Sequence, residues 1–168
     1  DTAKIKELSI VGNKAFSDST LLGLFSQDTG GWLSWYTKSN NYSRAKLNAD
    51  LEALRSFYLS RGYLDFRIDS TQVAISPNKQ DISITVNITE GERFIVSSVA
   101  LEGNFLGKED EFKSLVTIKP GKPFNADDVA ETTRAFTENF GNYGFAFARV
   151  EARPEVDRVN NRVALVLQ

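Results

Sequence analysis

The residues best equipped for chemistry in this chain are carboxylates, gathered at Lys108-Glu109-Asp110-Glu111 and at Asp127-Asp128. Two carboxylates can work as an acid–base or hydrolytic pair when a cleft separates their environments. Side by side in sequence they suit a different place, the first turn of a helix, where the dipole favours negative charge. Histidine and cysteine are absent. That removes imidazole acid–base catalysis, thiol nucleophiles, disulfides and zinc sites with Cys or His ligands. Gly103-Asn104-Phe105-Leu106-Gly107 is turn-like but lacks the Lys-Ser/Thr ending of a phosphate loop. Glu52 and Arg55, three apart, suit a surface ion pair on a helix. No catalytic, cofactor-binding or metal site is assigned and no cofactor is expected. A carboxylate-based enzyme stands as a remote alternative.

A second kind of chemistry is carried by the backbone. Phe66 and Ile68 occupy even positions, whereas Val73 and Ile75 occupy odd ones. A regular strand cannot aim both pairs at one core. One extra residue within Asp69–Gln72, a β-bulge, restores the register; otherwise Val73 and Ile75 face outward near the end of a hairpin. An edge strand presents amides and carbonyls that pair with another extended chain whatever its side chains. The candidate protein-binding residues are therefore Asp69, Ser70, Thr71, Gln72, Val73, Ala74 and Ile75. The plainer reading is an edge that pairs with nothing, protected by its bulge and polar residues. At the matching place in the second half, Pro154 interrupts Glu151–Val156 and removes a donor. Trp32, Trp35 and Tyr36, on a long connection, fit either a lid over their own core or a partner patch, with the lid the commoner use of such aromatics.

The elements holding these segments repeat. Leu8-Ser9-Ile10-Val11-Gly12-Asn13 recurs 91 residues on as Val99-Ala100-Leu101-Glu102-Gly103-Asn104. Tyr42, Leu47, Leu54, Tyr58, Gly62 and Ile68 match Phe124, Val129, Phe136, Phe140, Gly144 and Val150 at an offset of 82, so the first half has the longer connection, around Asp28–Asn41. Each half reads strand, short helix, long helix, strand, strand. Ser17 and Asn125 are placed to cap helices, Leu47, Leu51, Leu54 and Tyr58 form one apolar stripe, and Gly62 suits a left-handed helix end. Ile82, Ile84, Val86 and Ile88 alternate with Ser83, Thr85 and Asn87, giving one buried and one wet face. Pro77-Asn78-Lys79-Gln80 suits the turn before them. Two helices cover only one face of a three-stranded sheet. The expected fold is α+β, two small two-layer sandwiches at residues 1–91 and 92–168. The 168 residues carry 20 basic and 22 acidic side chains, a balance that gives no field for nucleic acid, and no apolar run is long enough to span a membrane. Methionine is absent, strand-like alternation begins almost at once, and the last strand is expected to be truncated, so the chain is read as a piece of a longer one.

The order β-α-α-β-β, a Gly-Asn closing the first strand and a Gly-Tyr closing the second helix resemble POTRA domains. Arg61-Gly62-Tyr63, Asp69-Ser70-Thr71-Gln72-Val73 and Val86-Asn87-Ile88-Thr89-Glu90-Gly91 resemble the third such domain of the outer-membrane β-barrel assembly factors of Gram-negative bacteria. Asn142-Tyr143-Gly144-Phe145 with Arg149-Val150 resembles the fourth. The resemblance implies two tandem POTRA domains, each a three-stranded mixed sheet with two helices on one face and the last strand at its centre. It further implies the periplasmic part of an outer-membrane protein that is not an enzyme. The implied partners are unfolded outer-membrane β-barrel proteins, accessory lipoproteins, and the remaining POTRA domains and barrel of the same chain. A POTRA pair from a two-partner secretion or other translocation barrel is the alternative.

Overall fold

In the computed structural model the residues described are 4–25, 40–78 and 81–168. They form two compact units, Asp1–Tyr58 with Asp65–Gly91, and Leu59–Leu64 with Glu92–Gln168. The turn expected at Pro77–Gln80 lies partly, and the lid or partner patch expected of Trp32, Trp35 and Tyr36 wholly, outside the described residues.

The first unit runs β1 (Lys4–Val11), α1 (Asp18–Phe25), α2 (Asn40–Leu59), β2 (Arg67–Ile75) and β3 (Asp81–Thr89). Its sheet has the order β1-β3-β2, with β3 parallel to β1 and antiparallel to β2. The last strand is thus central and both others are edges. Period-2 alternation sets the layers: Ile84, Val86 and Ile88 are buried with Leu8 and Ile10, whereas Ser83, Thr85 and Asn87 look to the other face. Ser17 opens α1, its hydroxyl accepting the Thr20 amide at 3.2 Å, and the helix buries Leu21 and Phe25. Leu54 and Tyr58 of α2 are fully buried, Tyr58 stacking on Phe66 with ring centres 4.3 Å apart. Upstream the buried line departs from the apolar stripe. Lys46 and Asp50 are buried, whereas Leu47 and Leu51 are half-buried. The buried residues 46, 50, 54 and 58 follow a strict four-residue spacing, a ridge of the helix surface inclined to its axis. Gly12, at φ +108°, closes β1 against β3, and a Cβ there would collide with the Ile88 carbonyl oxygen.

The second unit repeats the plan with β4 (Ile95–Leu101), α3 (Glu109–Lys113), α4 (Ala126–Asn142), β5 (Ala152–Asp157) and β6 (Arg162–Leu167). The order is β4-β6-β5, again with the last strand central, parallel to one neighbour and antiparallel to the other. Val163, Leu165 and Leu167 pack with Phe105, Phe112, Phe136 and Phe140 in the core. The Phe112 and Phe140 ring centres lie 4.6 Å apart. The acidic clusters fall where the dipole favours them, Glu109–Glu111 in the first turn of α3 and Asp127-Asp128 in that of α4. Asn125 caps α4, its side chain accepting the Asp127 amide at 2.9 Å. Among the described residues no helix is long and apolar enough to cross a membrane.

Candidate functional site

The site is built on β2. Its pairing with β3 runs Arg67↔Thr89 and Ile68↔Ile88, then resumes at Ser70↔Asn87, so Asp69 is the extra residue. Beyond the bulge Thr71, Val73 and Ile75 stand opposite Val86, Ile84 and Ile82. Directly opposed residues share a face, so both apolar pairs of this strand, Phe66 with Ile68 and Val73 with Ile75, are aimed at the core side.

The bulge is held by its side chains. The Asp69 carboxylate accepts from Thr89 Oγ1 at 2.6 Å and from Arg67 Nε at 2.7 Å. Next to it Asn87 Nδ2 donates to Ser70 Oγ at 2.9 Å. The Thr89 hydroxyl and, after it, the Arg67 guanidinium hold the Asp69 carboxyl below its ordinary range. Sequence reasoning located the bulge but not this clamp, because Thr89 is twenty residues away and meets Asp69 only across the ladder.

Which backbone groups face outward follows from one bond. The Ser76 amide donates to the Asp81 carbonyl at 2.8 Å, and in an antiparallel ladder inward and outward residues alternate. Ala74, Gln72 and Ser70 therefore turn their amides to β3, and Ile75, Val73 and Thr71 turn theirs to the open edge. On the core side of that edge Val73 is 53% and Ile75 56% exposed. An apolar row thus lies beside a row of free donors and acceptors. Ser70–Ser76 carries no charged residue, although charges are a common guard on edge strands.

The matching edge of the second unit is guarded. β5 meets β6 without a register shift and carries Arg153, Pro154, Glu155 and Asp157. Glu151 and Gln168 exchange two backbone bonds of 2.9 Å, which by the same alternation turns position 154 outward. The donor that Pro154 lacks is one an incoming strand would have used. Arg153 pairs with Glu102 at 3.2 Å along the same sheet.

Glu90, just beyond β3, is a residue whose role sequence reasoning missed. Its carboxylate accepts from the Lys14 amide at 2.9 Å, the Ala15 amide at 3.0 Å and the Tyr58 hydroxyl at 2.7 Å. It thereby ties the turn after β1, the end of α2 and the end of β3 together. The one sequence signal was its place in Ile88-Thr89-Glu90-Gly91, part of a segment that carries the family resemblance.

Comparison with known proteins covers both halves. The POTRA family model, described as surface antigen variable number repeat, matches residues 3–91 and 94–168. The chain is 32% identical over 163 residues to the outer membrane protein assembly factor BamA of Buchnera aphidicola, covering 96% of this chain and 26% of that protein. It is 31% identical over 168 residues to BamA of Neisseria meningitidis, covering 99% of this chain and 21% of that one. The chain thus spans about a quarter of the length of these curated relatives. A crystal structure of Haemophilus influenzae BamA POTRA3-5 superposes with a TM-score of 0.78 at 27% identity, over 99% of this chain and 65% of that one.

Proposed function

The chain belongs to the POTRA family, with one such domain in each half, and on that footing we propose that it works in the periplasmic arm of an outer-membrane β-barrel assembly protein, holding other polypeptides rather than transforming them. It is similar to part of a POTRA3-5 segment of such a factor; we place it there as the third and fourth domains, with the remaining domains and the barrel on the same polypeptide. Its clients are unfolded outer-membrane β-barrel proteins, whose segments are extended, diverse in side chain and in need of backbone pairing. An accepting edge made of main-chain groups serves all of them, because main-chain bonds supply the affinity and a shallow apolar row asks only for alternation. Accessory lipoproteins dock on the same arm.

The observation that carries this reading is the unguarded, bulged β2 edge. Thr71, Val73 and Ile75 combine outward main-chain groups with core-side side chains, two of which are more than half exposed. Photo-crosslinking from single positions along Asp69–Ser76 in the intact membrane-inserted protein tests it. Crosslinks to newly exported outer-membrane polypeptides are expected from this strand and not from Ala152–Asp157. The opposite pattern would remove β2 as the acceptor.

A further inference from the structure

The second compact unit takes in the turn that ends α2, Leu59–Leu64. There the Gly62 amide donates to the Leu59 carbonyl at 3.4 Å, and the Gly62 carbonyl accepts the Phe94 amide at 2.8 Å. Gly62 is buried at φ +95°, and a Cβ on it would lie 2.6 Å from the Phe94 carbonyl oxygen and 3.2 Å from Pro123 Cβ. Leu64 packs against the core of this unit. The turn is thus built around the residues that lead into β4.

The internal repeat sets a second copy of this turn at Gly141–Ala146, 82 residues on. Its backbone is alike: Gly144 stands at φ +92° and its amide donates to the Gly141 carbonyl at 3.0 Å. The turn is also preformed. The Phe145 amide donates back to the Phe140 carbonyl at 3.0 Å, and the Tyr143 hydroxyl donates to Glu111 Oε2 at 2.6 Å. Its surroundings differ. Every residue from Gly141 to Phe147 is exposed. Its chain neighbours aside, nothing among the described residues lies within 4 Å of where a Gly144 Cβ would stand. Phe145, at the place of half-buried Tyr63, is 50% exposed, and Phe147, at the place of Asp65, is 99% exposed. A fixed turn that displays two aromatic rings has the make-up of a binding surface. We propose that the Gly141–Phe147 turn docks the POTRA domain that adjoins the second unit on the same polypeptide. The residue leading that domain's first strand donates its amide to the Gly144 carbonyl, as Phe94 does to that of Gly62. Its own carbonyl comes to rest beside the Gly144 Cα, and Phe145 and Phe147 supply the apolar contact. The choice of occupant rests on the function proposed above and on the partner that Leu59–Leu64 has; strand addition at β2 plays no part in it.

The test compares this 168-residue chain, which has no cysteine, with the full-length protein in a cysteine-free background, each carrying Ala146→Cys as its single cysteine. Maleimide labelling should be fast in the short chain and slower by about tenfold or more in the full-length protein. Gly144→Asn should restore fast labelling there, because its Cβ takes the space of the incoming carbonyl. In the short chain a matched pair separates contact from strain. Gly62→Asn and Gly144→Asn share the left-handed backbone cost, so Gly62→Asn should lower the unfolding midpoint well beyond Gly144→Asn. Equal labelling of the two proteins, with a POTRA domain next to the second unit, would overturn the docking and leave the function proposed above standing. A full-length protein without such a domain would overturn the docking together with the arm to which it is assigned. Labelling of the short chain that slows as its concentration rises would make the occupant a second copy. Slow labelling of the full-length protein only while client is present would make it a client, and either result would overturn the proposal.

Discussion

The Thr89 hydroxyl lies 2.6 Å from Asp69 Oδ2, bonding the last residue of β3 to the one residue of β2 that has no partner of its own in the ladder. With Arg67 on the other carboxylate oxygen at 2.7 Å, this bond holds the backbone in its bulged path. The bulge in turn decides the side on which Val73 and Ile75 emerge. A polar clamp on one face of the sheet thus sets the apolar surface offered on the other.

Deleting one residue within Ser70–Gln72 removes the extra position, so the strand beyond it must either keep its pairing with β3 or keep its parity. We expect strand-forming peptides to bind at least about tenfold more weakly, with a smaller change in the unfolding midpoint than a core lesion causes. Peptide titration alongside denaturant unfolding measures both. Unchanged affinity would separate the bulge from binding.

Acid should loosen the clamp. The Asp69 carboxyl titrates below its ordinary value of 3.8 in the folded chain, so its contribution is fully present above that value and is lost as the pH falls through the lower, folded value. Amide exchange at Ser70–Gln72 should therefore accelerate on acidification in that window, after correction for intrinsic exchange, while the β6 amides hold. Asp69→Asn should show fast exchange there at neutral pH already. A variant with wild-type exchange and wild-type acid response would contradict the clamp.

Leu54 is fully buried in the C-terminal half of α2. Leu54→Ala leaves a cavity beneath the sheet and should cost about 2–5 kcal/mol. A chemical denaturation curve with an unmoved midpoint would show the helix stripe to be packed otherwise.

Tyr58→Phe tests the junction at Glu90. It keeps the ring stacked on Phe66 and deletes only the hydroxyl that meets the carboxylate at 2.7 Å. A hydrogen bond to a charged group is worth about 1.5–3 kcal/mol. Glu90→Ala should cost at least as much, since the Lys14 and Ala15 amides lose their acceptor too. In a double-mutant cycle the two losses should fall well short of additive.

The parts of this fold legible in sequence are those that local pattern dictates. The Gly-Asn ends of β1 and β4, the alternation of β3 and the caps at Ser17 and Asn125 each depend on residues within one element or turn. The bulge also showed, because a parity break between Ile68 and Val73 is visible along a single strand. Its clamp did not show, because Thr89 meets Asp69 only once the register of two strands is fixed. Glu90 was missed for the same reason, since its three partners come from two distant segments. The buried pair Lys46 and Asp50 ran against the rule that charges stay outside, and hydropathy alone favours Leu47 and Leu51 at that stretch of α2.

The outward amide of Val73 permits the most direct measurement. Val73→Pro removes a donor from the open edge without breaking a bond to β3, whereas Gln72→Pro removes one from the ladder and should unsettle the sheet. Gln72→Ala changes a side chain on the polar face and should leave binding nearly intact. The measurement is amide-exchange mapping of the chain with an extended, strand-forming peptide, comparing wild type with Val73→Pro. Protection along Thr71–Ile75 that disappears in Val73→Pro, with β3 and α2 still protected, is the expected result. Protection that survives the proline, or that falls on the helices or on Trp32–Tyr36 while Asp69–Ile75 stays unchanged, would contradict strand addition at this edge.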